Sequence, residues 1–306
     1  MGLTNIKAPH GLAVNGNAIR EDVITTGSVF YVNSVIGSDG YKGTSPKQPV
    51  ATIDKAINLC NATAVKGDVI YVMPGHVETI ASATTLVPDV AGISIIGLGN
   101  GTSAPQLTFS TTASSIDISG AGTTLRNLHF IAGISAVVVG VNVDADYVTI
   151  DNCKFTFGAT AFDFITHVDI DAVDYATVSN CEFDAENATA GAAEAIRIDD
   201  SHNTRIVGNY INGDFSDAAI IGEGALSKSL LIKDNVIYND DTGAASNGID
   251  LNVACTGVII KNMVGSLYAT AIDTLIDPGS CLNFENYSCN AVDEMAAILP
   301  GVTSST

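Results

Sequence analysis

Seven apolar residues at near-constant spacing constrain this chain more than any other feature. They are Leu125, Ile150, Val178, Ile206, Ile232, Ile260 and Phe284, separated by 24 to 28 residues. Two positions after each stand Asn127, Asn152, Asn180, Gly208, Asp234, Asn262 and Asn286. Five positions after each stand Phe130, Phe155, Phe183, Ile211, Ile237, Gly265 and Cys289. Self-similarity at such a period marks a solenoid, in which each repeat buries its apolar face only by stacking on its neighbours. The column two past the anchor holds only Asn, Gly and Asp, the residues that best tolerate a left-handed backbone. A sharp bend is therefore expected at the same place in every repeat.

The residues around that bend define the rest of the unit. Short β-branched runs precede it, such as Tyr147 to Ile150 and Leu230 to Ile232, and read as strands. A second short strand follows and ends in the Phe/Ile column. Further upstream, Val141 to Asp144, Val168 to Asp171, Ile196 to Asp199 and Gly248 to Leu251 alternate apolar and polar residues, as half-buried strands do. Three short strands per coil, with no room for a helix, predict a right-handed parallel β-helix. With coils ~4.8 Å apart, eight or nine of them would make a rod about 40 Å long.

The ends read differently. Thr52 to Cys60 has helical periodicity with Thr52 as N-cap, and is expected to plug the first coil. Val292 to Leu299, stopped by Pro300, is a second short helix candidate within a C-terminal cap and tail at 292–306. Residues 1–28 carry no repeat and are expected to form an arm outside the core.

Composition narrows the partners. Among 306 residues the formal charge is −20, which argues against nucleic acid and anionic membranes, since both call for basic patches. No apolar run is long enough to span a bilayer, and the start is too polar for a secretory signal, so synthesis in a cytoplasm is expected. The six cysteines form no CxxC. Cys153 and Cys181 share one inward rung position and read as stacked core thiols, with a disulfide open as an alternative. Asn209 and Asn235 occupy that same position on the next two coils and are expected to form a buried amide ladder.

Chemistry, if present, should lie on the outward face of the upstream strands. One column there reads Ser119, Asp144, Asp171, Asp199, Glu223, Asn252 and Asp277; another reads Asp117, Asn142, Asp169, Arg197, Ile221, Asp250 and Leu275. Asp169, Asp171 and the pair Asp199 and Asp200 form the densest group, with Arg197 beside them. Three readings follow. Paired carboxylates could serve as acid and base or nucleophile on a glycosidic bond. Alternatively Asp144, Asp171 and Asp199 could hold Ca²⁺, with Arg197 as the base of a lyase. The third reading is a hydrated acidic surface at strand ends, with no catalytic residue and no cofactor.

The segment from Phe30 to Pro46, then Pro49 to Ile57 and Gly67 to Glu78, resembles the opening of pectin-lyase-like β-helix proteins. With the seven bends, the resemblance covers residues 29 to 291. It implies the helix-capped first coil and a superfamily that spans lyases, hydrolases, tailspikes and inert virion parts. Asp169-Ile170-Asp171 and Asp199-Asp200 are similar to two motifs of polygalacturonase-like hydrolases, but the chain has neither the Gly-His-Gly nor the Arg-x-Lys motif of that group. A polar arm joined directly to a capped β-helix resembles phage structural proteins. That likeness implies a capsid decoration or cement protein of a tailed phage, homotrimeric, held to the major capsid protein or other virion subunits through the arm. A phage depolymerase, lyase or hydrolase, and a glycan- or Ca²⁺-binding adhesin, are the alternatives.

Overall fold

The structure is a computed structural model that describes residues 25–60, 67–185, 191–224, 226–241, 247–251, 254–266 and 275–290, with the backbone of three further strands near the ends. The chain winds as a right-handed parallel β-solenoid of about seven turns. One sheet stacks seven parallel strands, from Ile116–Ile118 through Val137–Val143, Phe164–Asp171, Ala192–Asp199, Phe215–Glu223 and Asn247–Leu251 to Ile276–Asp277. A second sheet stacks ten, from Val29–Val32 to Leu282–Phe284. The third also has ten: nine run parallel from Val77–Ile80 to Tyr287–Asn290, and Ala297–Ile298 adds antiparallel at the edge.

Alternation explains why these short segments stack. Thr149–Asp151, Thr177–Ser179 and Arg205–Val207 each bury only the middle residue, so Ile150, Val178 and Ile206 pile up inside. The Phe column fills the opposite wall. Phe130, Phe155 and Phe183 are fully buried, with ring centroids 4.7 and 4.8 Å apart along the axis. That distance is the strand spacing itself, so rings on successive coils meet directly, near-parallel for Phe155 and Phe183 and tilted by 36° for Phe130 and Phe155.

The bends take the expected form over five coils. Asn127, Asn152, Asn180 and Asp234 have φ between 52° and 56°, and Gly208 has φ 70°. The last two coils depart from expectation by one residue. There the left-handed positions are Lys261 and Glu285, and the inward anchors are Ile259 and Asn283, because Ile232 pairs with Ile259 and Ile259 with Asn283. Asn262 and Asn286 are therefore not bend residues; both are fully buried. A shift of one residue exchanges the two faces of a strand. Accordingly Gly265 and Cys289 do not continue the Phe/Ile column, whose inward positions belong to Val264 and Ser288.

The slip has a chemical cause. Asn209, Asn235, Asn262 and Asn286 form a continuous buried ladder in which each Nδ2 donates to the next Oδ1, at 3.0, 2.9 and 2.9 Å. Each Oδ1 also accepts the backbone N–H of the coil before it, at 2.7 to 3.0 Å. The second Nδ2 hydrogens go to the carbonyls of Val178, Ile206, Ile232 and Ile259. Satisfying a buried polar group outweighs the cost, about 1 kcal/mol, of placing Lys or Glu in a left-handed turn. Cys153 and Cys181 continue the same inward column as buried free thiols.

At the ends the elements are shorter than expected or different in kind. The first helix is Ile53–Ile57, with the Thr52 hydroxyl accepting from the Lys55 amide at 3.3 Å. It buries Ile53, Ala56 and Ile57 beside Val29–Val32 and Val69–Val72. Leu12–Val14 and Asn17–Ile19 form an antiparallel hairpin of their own. The helix expected over Val292 to Leu299 is contradicted at Ala297–Ile298, which are strand; 291–296 and 299–306 lie outside the described residues. Among the described residues no helix is long and apolar enough to cross a membrane.

Candidate functional site

The acidic columns lie on the outside of the seven-stranded sheet, where alternation turns every second side chain away from the core. The strand register places Asp117, Asn142, Asp169, Arg197, Ile221 and Asp250 in one row across six coils. Asp277 pairs with Asp250 and so ends this row rather than the neighbouring one, where Asp171, Asp199 and Glu223 succeed each other. Leu275 is fully buried, and Asn252 lies outside the described residues.

Within that face the groups are already engaged. Arg197 meets Asp169 through two parallel contacts, Nε to Oδ1 at 2.9 Å and Nη2 to Oδ2. Asp169 is 5% exposed, so the guanidinium neutralises a carboxylate that has lost most of its water. The hydrogen bond to Asp169 raises the Arg197 pKa further. Three residues earlier on the same two strands the Thr166 hydroxyl donates to Glu194 at 2.5 Å, and Glu194 is itself buried. Burial raises the Glu194 pKa above the ordinary carboxylate value.

Asp171 and Asp199 are register partners on adjacent coils, and Asp144 stands one coil earlier. Desolvation and then like charge raise Asp144, through Asp117 and Asp171, and Asp171, through Asp199 and Asp169. Asp144 accepts from the Asn142 amide at 2.9 Å. Asp200 does not share the row. It occupies a left-handed position, φ 41°, in a second bend column with Ala172 and Gly224. A Cβ at Gly224 would stand 2.3 Å from both Asp199 carboxylate oxygens, so that carboxylate lies directly over the glycine. No three His, Cys, Asp or Glu side chains among the described residues converge as metal ligands. Asp144, Asp171 and Asp199 thus lie near one another in a row without forming a coordination shell.

Two features escaped the sequence reading. Across the Asn bend between the second and third sheets lies a groove of about 340 Å³, lined by Asn127, Asn152 and Asn180 on one side and His129, Lys154 and Glu182 on the other. Lys154 and Glu182 form an ion pair at 2.6 Å. Burial, then Lys154, lowers the His129 pKa, and its Nε2 lies 2.8 Å from the Thr156 hydroxyl. At the opposite end of the same coils Tyr147 and Tyr175 stack with centroids 4.8 Å apart and planes 3° from parallel. A signal for them existed: three before the anchors, Gly122, Asn203 and Ser229 occupy the column that these two tyrosines interrupt.

No protein-family model matches the chain, and no curated protein matches it in sequence. Solved structures do. The pectin methylesterase of Aspergillus niger, in deglycosylated form, superposes with TM-score 0.53 at 14% identity over 92% of this chain and 93% of its own. A pectate lyase gives 0.49 at 15% identity over 90% and 79%. The tailspike protein of an Acinetobacter phage gives 0.44 at 13% identity, covering 92% of this chain and 62% of its own. These neighbours are pectin-lyase-like parallel β-helix proteins, and at this identity the likeness concerns the fold.

Proposed function

We propose that this chain is a structural component of a tailed-phage virion, a capsid decoration or cement protein fastened through residues 1–28. The hairpin of Leu12–Val14 and Asn17–Ile19 carries this reading. Among the described residues it pairs with no strand of the three solenoid sheets, whereas every described strand from Val29 onward belongs to one of them. A two-stranded hairpin this short is marginal by itself and needs a surface to add to. The major capsid protein is the expected host. The helix Ile53–Ile57 closes the adjoining end of the solenoid, and three copies side by side are the expected assembly. The Asp169–Arg197 pair supports a structural role for the acidic face, because the Arg197 cation is committed to a buried carboxylate.

The test is co-sedimentation with capsids lacking the protein, using the full chain and a chain lacking residues 1–24. The full chain should pellet with particles. The truncated chain should keep the far-UV spectrum and melting point of the solenoid and stay in the supernatant. Pelleting of the truncated chain would overturn the reading. The raised pKa values of Asp144 and Asp171 favour a second reading, a carbohydrate-active β-helix, since a glycosidase acid needs that shift. Loss of polysaccharide cleavage on Asp171→Ala or Asp199→Ala would establish it; a broad panel left intact by the full chain would dismiss it.

A further inference from the structure

Tyr147 and Tyr175 both have φ 61°, a conformation that bulky side chains rarely adopt. Their column shows what the backbone prefers there: Gly122, Asn203 and Ser229 have φ of 70°, 58° and 58°. The position is fixed on four successive coils, because the amides of Gly122, Tyr147, Tyr175 and Asn203 each donate to a carbonyl on the next coil, at 2.8 to 2.9 Å. Two aromatic residues are therefore held where a small or polar one would sit without strain, and strain of this kind concentrates at functional sites. Apart from stacking on each other, the rings stay open to solvent. They are 58% and 47% exposed, and Gly122 on the preceding coil presents no side chain over Tyr147.

The surface that continues from the rings is polar, and the carboxylates of Asp146 and Asp174, each next to one of the tyrosines in sequence, disfavour an anionic ligand. Thr149, Asp151, Thr177 and Ser179 point outward from the same two coils. Asp151 is neutralised by Arg126 at 3.1 Å and accepts from Ser179 and Asn180 at 2.9 Å each. Five residues of extended chain, about 16 Å, separate the rings from the Asn-lined groove. A protein partner would want an apolar centre, which this face lacks. A sugar chain suits it: its C–H faces lie on aromatic rings, and its hydroxyls exchange hydrogen bonds with fixed amides and hydroxyls.

We propose that Tyr147, Tyr175 and the adjoining polar face bind a neutral glycan chain, with the tyrosine rings as the stacking platform. The proposal is independent of how the N-terminal segment is used. The experiment is an array of neutral glycans of three or more residues probed with the full chain, followed by titration calorimetry with the strongest hit. Binding should weaken at least tenfold in Tyr147→Asn and vanish in Tyr147→Asn/Tyr175→Asn. Those variants should melt no lower than the parent, since Asn suits the left-handed position. Tyr147→Phe/Tyr175→Phe should retain binding within a few-fold. Silence across the array, or unchanged binding in the double Asn variant, would overturn the proposal. So would a Tyr-dependent dimer in native mass measurement, which would make a second copy the occupant.

Discussion

At the residue scale, the buried asparagines show how one side-chain type fixes register. An amide has a donor and an acceptor on one planar group, so it can repeat indefinitely along a 4.8 Å stack with every group satisfied. A carboxylate cannot, having no donor when ionised. Asn235→Ala should therefore destabilise the protein by about 2–3 kcal/mol, the cost of leaving the Asn209 donors and the Ile206 carbonyl without partners. Asn235→Asp should cost more at pH 7 and less at pH 4, because the carboxylate would face the Asn262 Oδ1, an acceptor. Urea unfolding at the two pH values measures both effects; equal losses for Asp at both would refute the ladder as described. Two members of this column, Asn209 and Asn235, were legible in the sequence. Asn262 and Asn286 were not, because Val258, Ile259 and Ile260 are all aliphatic and do not announce which of them faces inward.

At the element scale, the seven-stranded sheet sets its charged rows by register alone. Adjacent coils bring Asp169 and Arg197 into contact across 28 residues of sequence. Replacing Arg197 by Met should destabilise by about 3 kcal/mol, since a nearly buried carboxylate is left without its counter-ion. Asp169→Asn in the Arg197→Met background should recover most of that loss. A double variant no more stable than Arg197→Met, by chemical denaturation, would show that the pair is not coupled. The alternation of these strands, and hence which carboxylates face outward, could be read directly from the sequence. Whether they make a site could not: convergence of three ligands depends on bends and side-chain directions, and Asp200 left the row because it turned a corner.

At the scale of the whole molecule, a continuous core encloses a buried titratable group, and pH dependence follows from it. His167 lies among Phe155, Phe164, Phe183 and Phe215, is fully buried, and has its pKa lowered to about 4 by burial. Its pKa in the unfolded chain is about 6.5, so the unfolded state takes up the proton first as pH falls. The stability is complete above pH 6.5 and is lost between 6.5 and 4, roughly 1 kcal/mol of it by pH 5.5. The raised carboxylates Asp144, Asp171, Glu194 and Asp250 act in the opposite sense, gaining as pH falls. Melting at pH 7.0 and 5.5 should therefore fall for the parent and change much less for His167→Leu; equal falls would exclude His167 as the cause. The sequence by itself determined the solenoid, its period and five of seven bends, because stacking and left-handed turns impose a residue choice that recurs on every coil. Tertiary structure decided the register of the last two coils, the Asp169–Arg197 pair and the stacked tyrosines. Those depend on which side chains meet across coils, a relation between distant residues that periodicity within one coil does not contain.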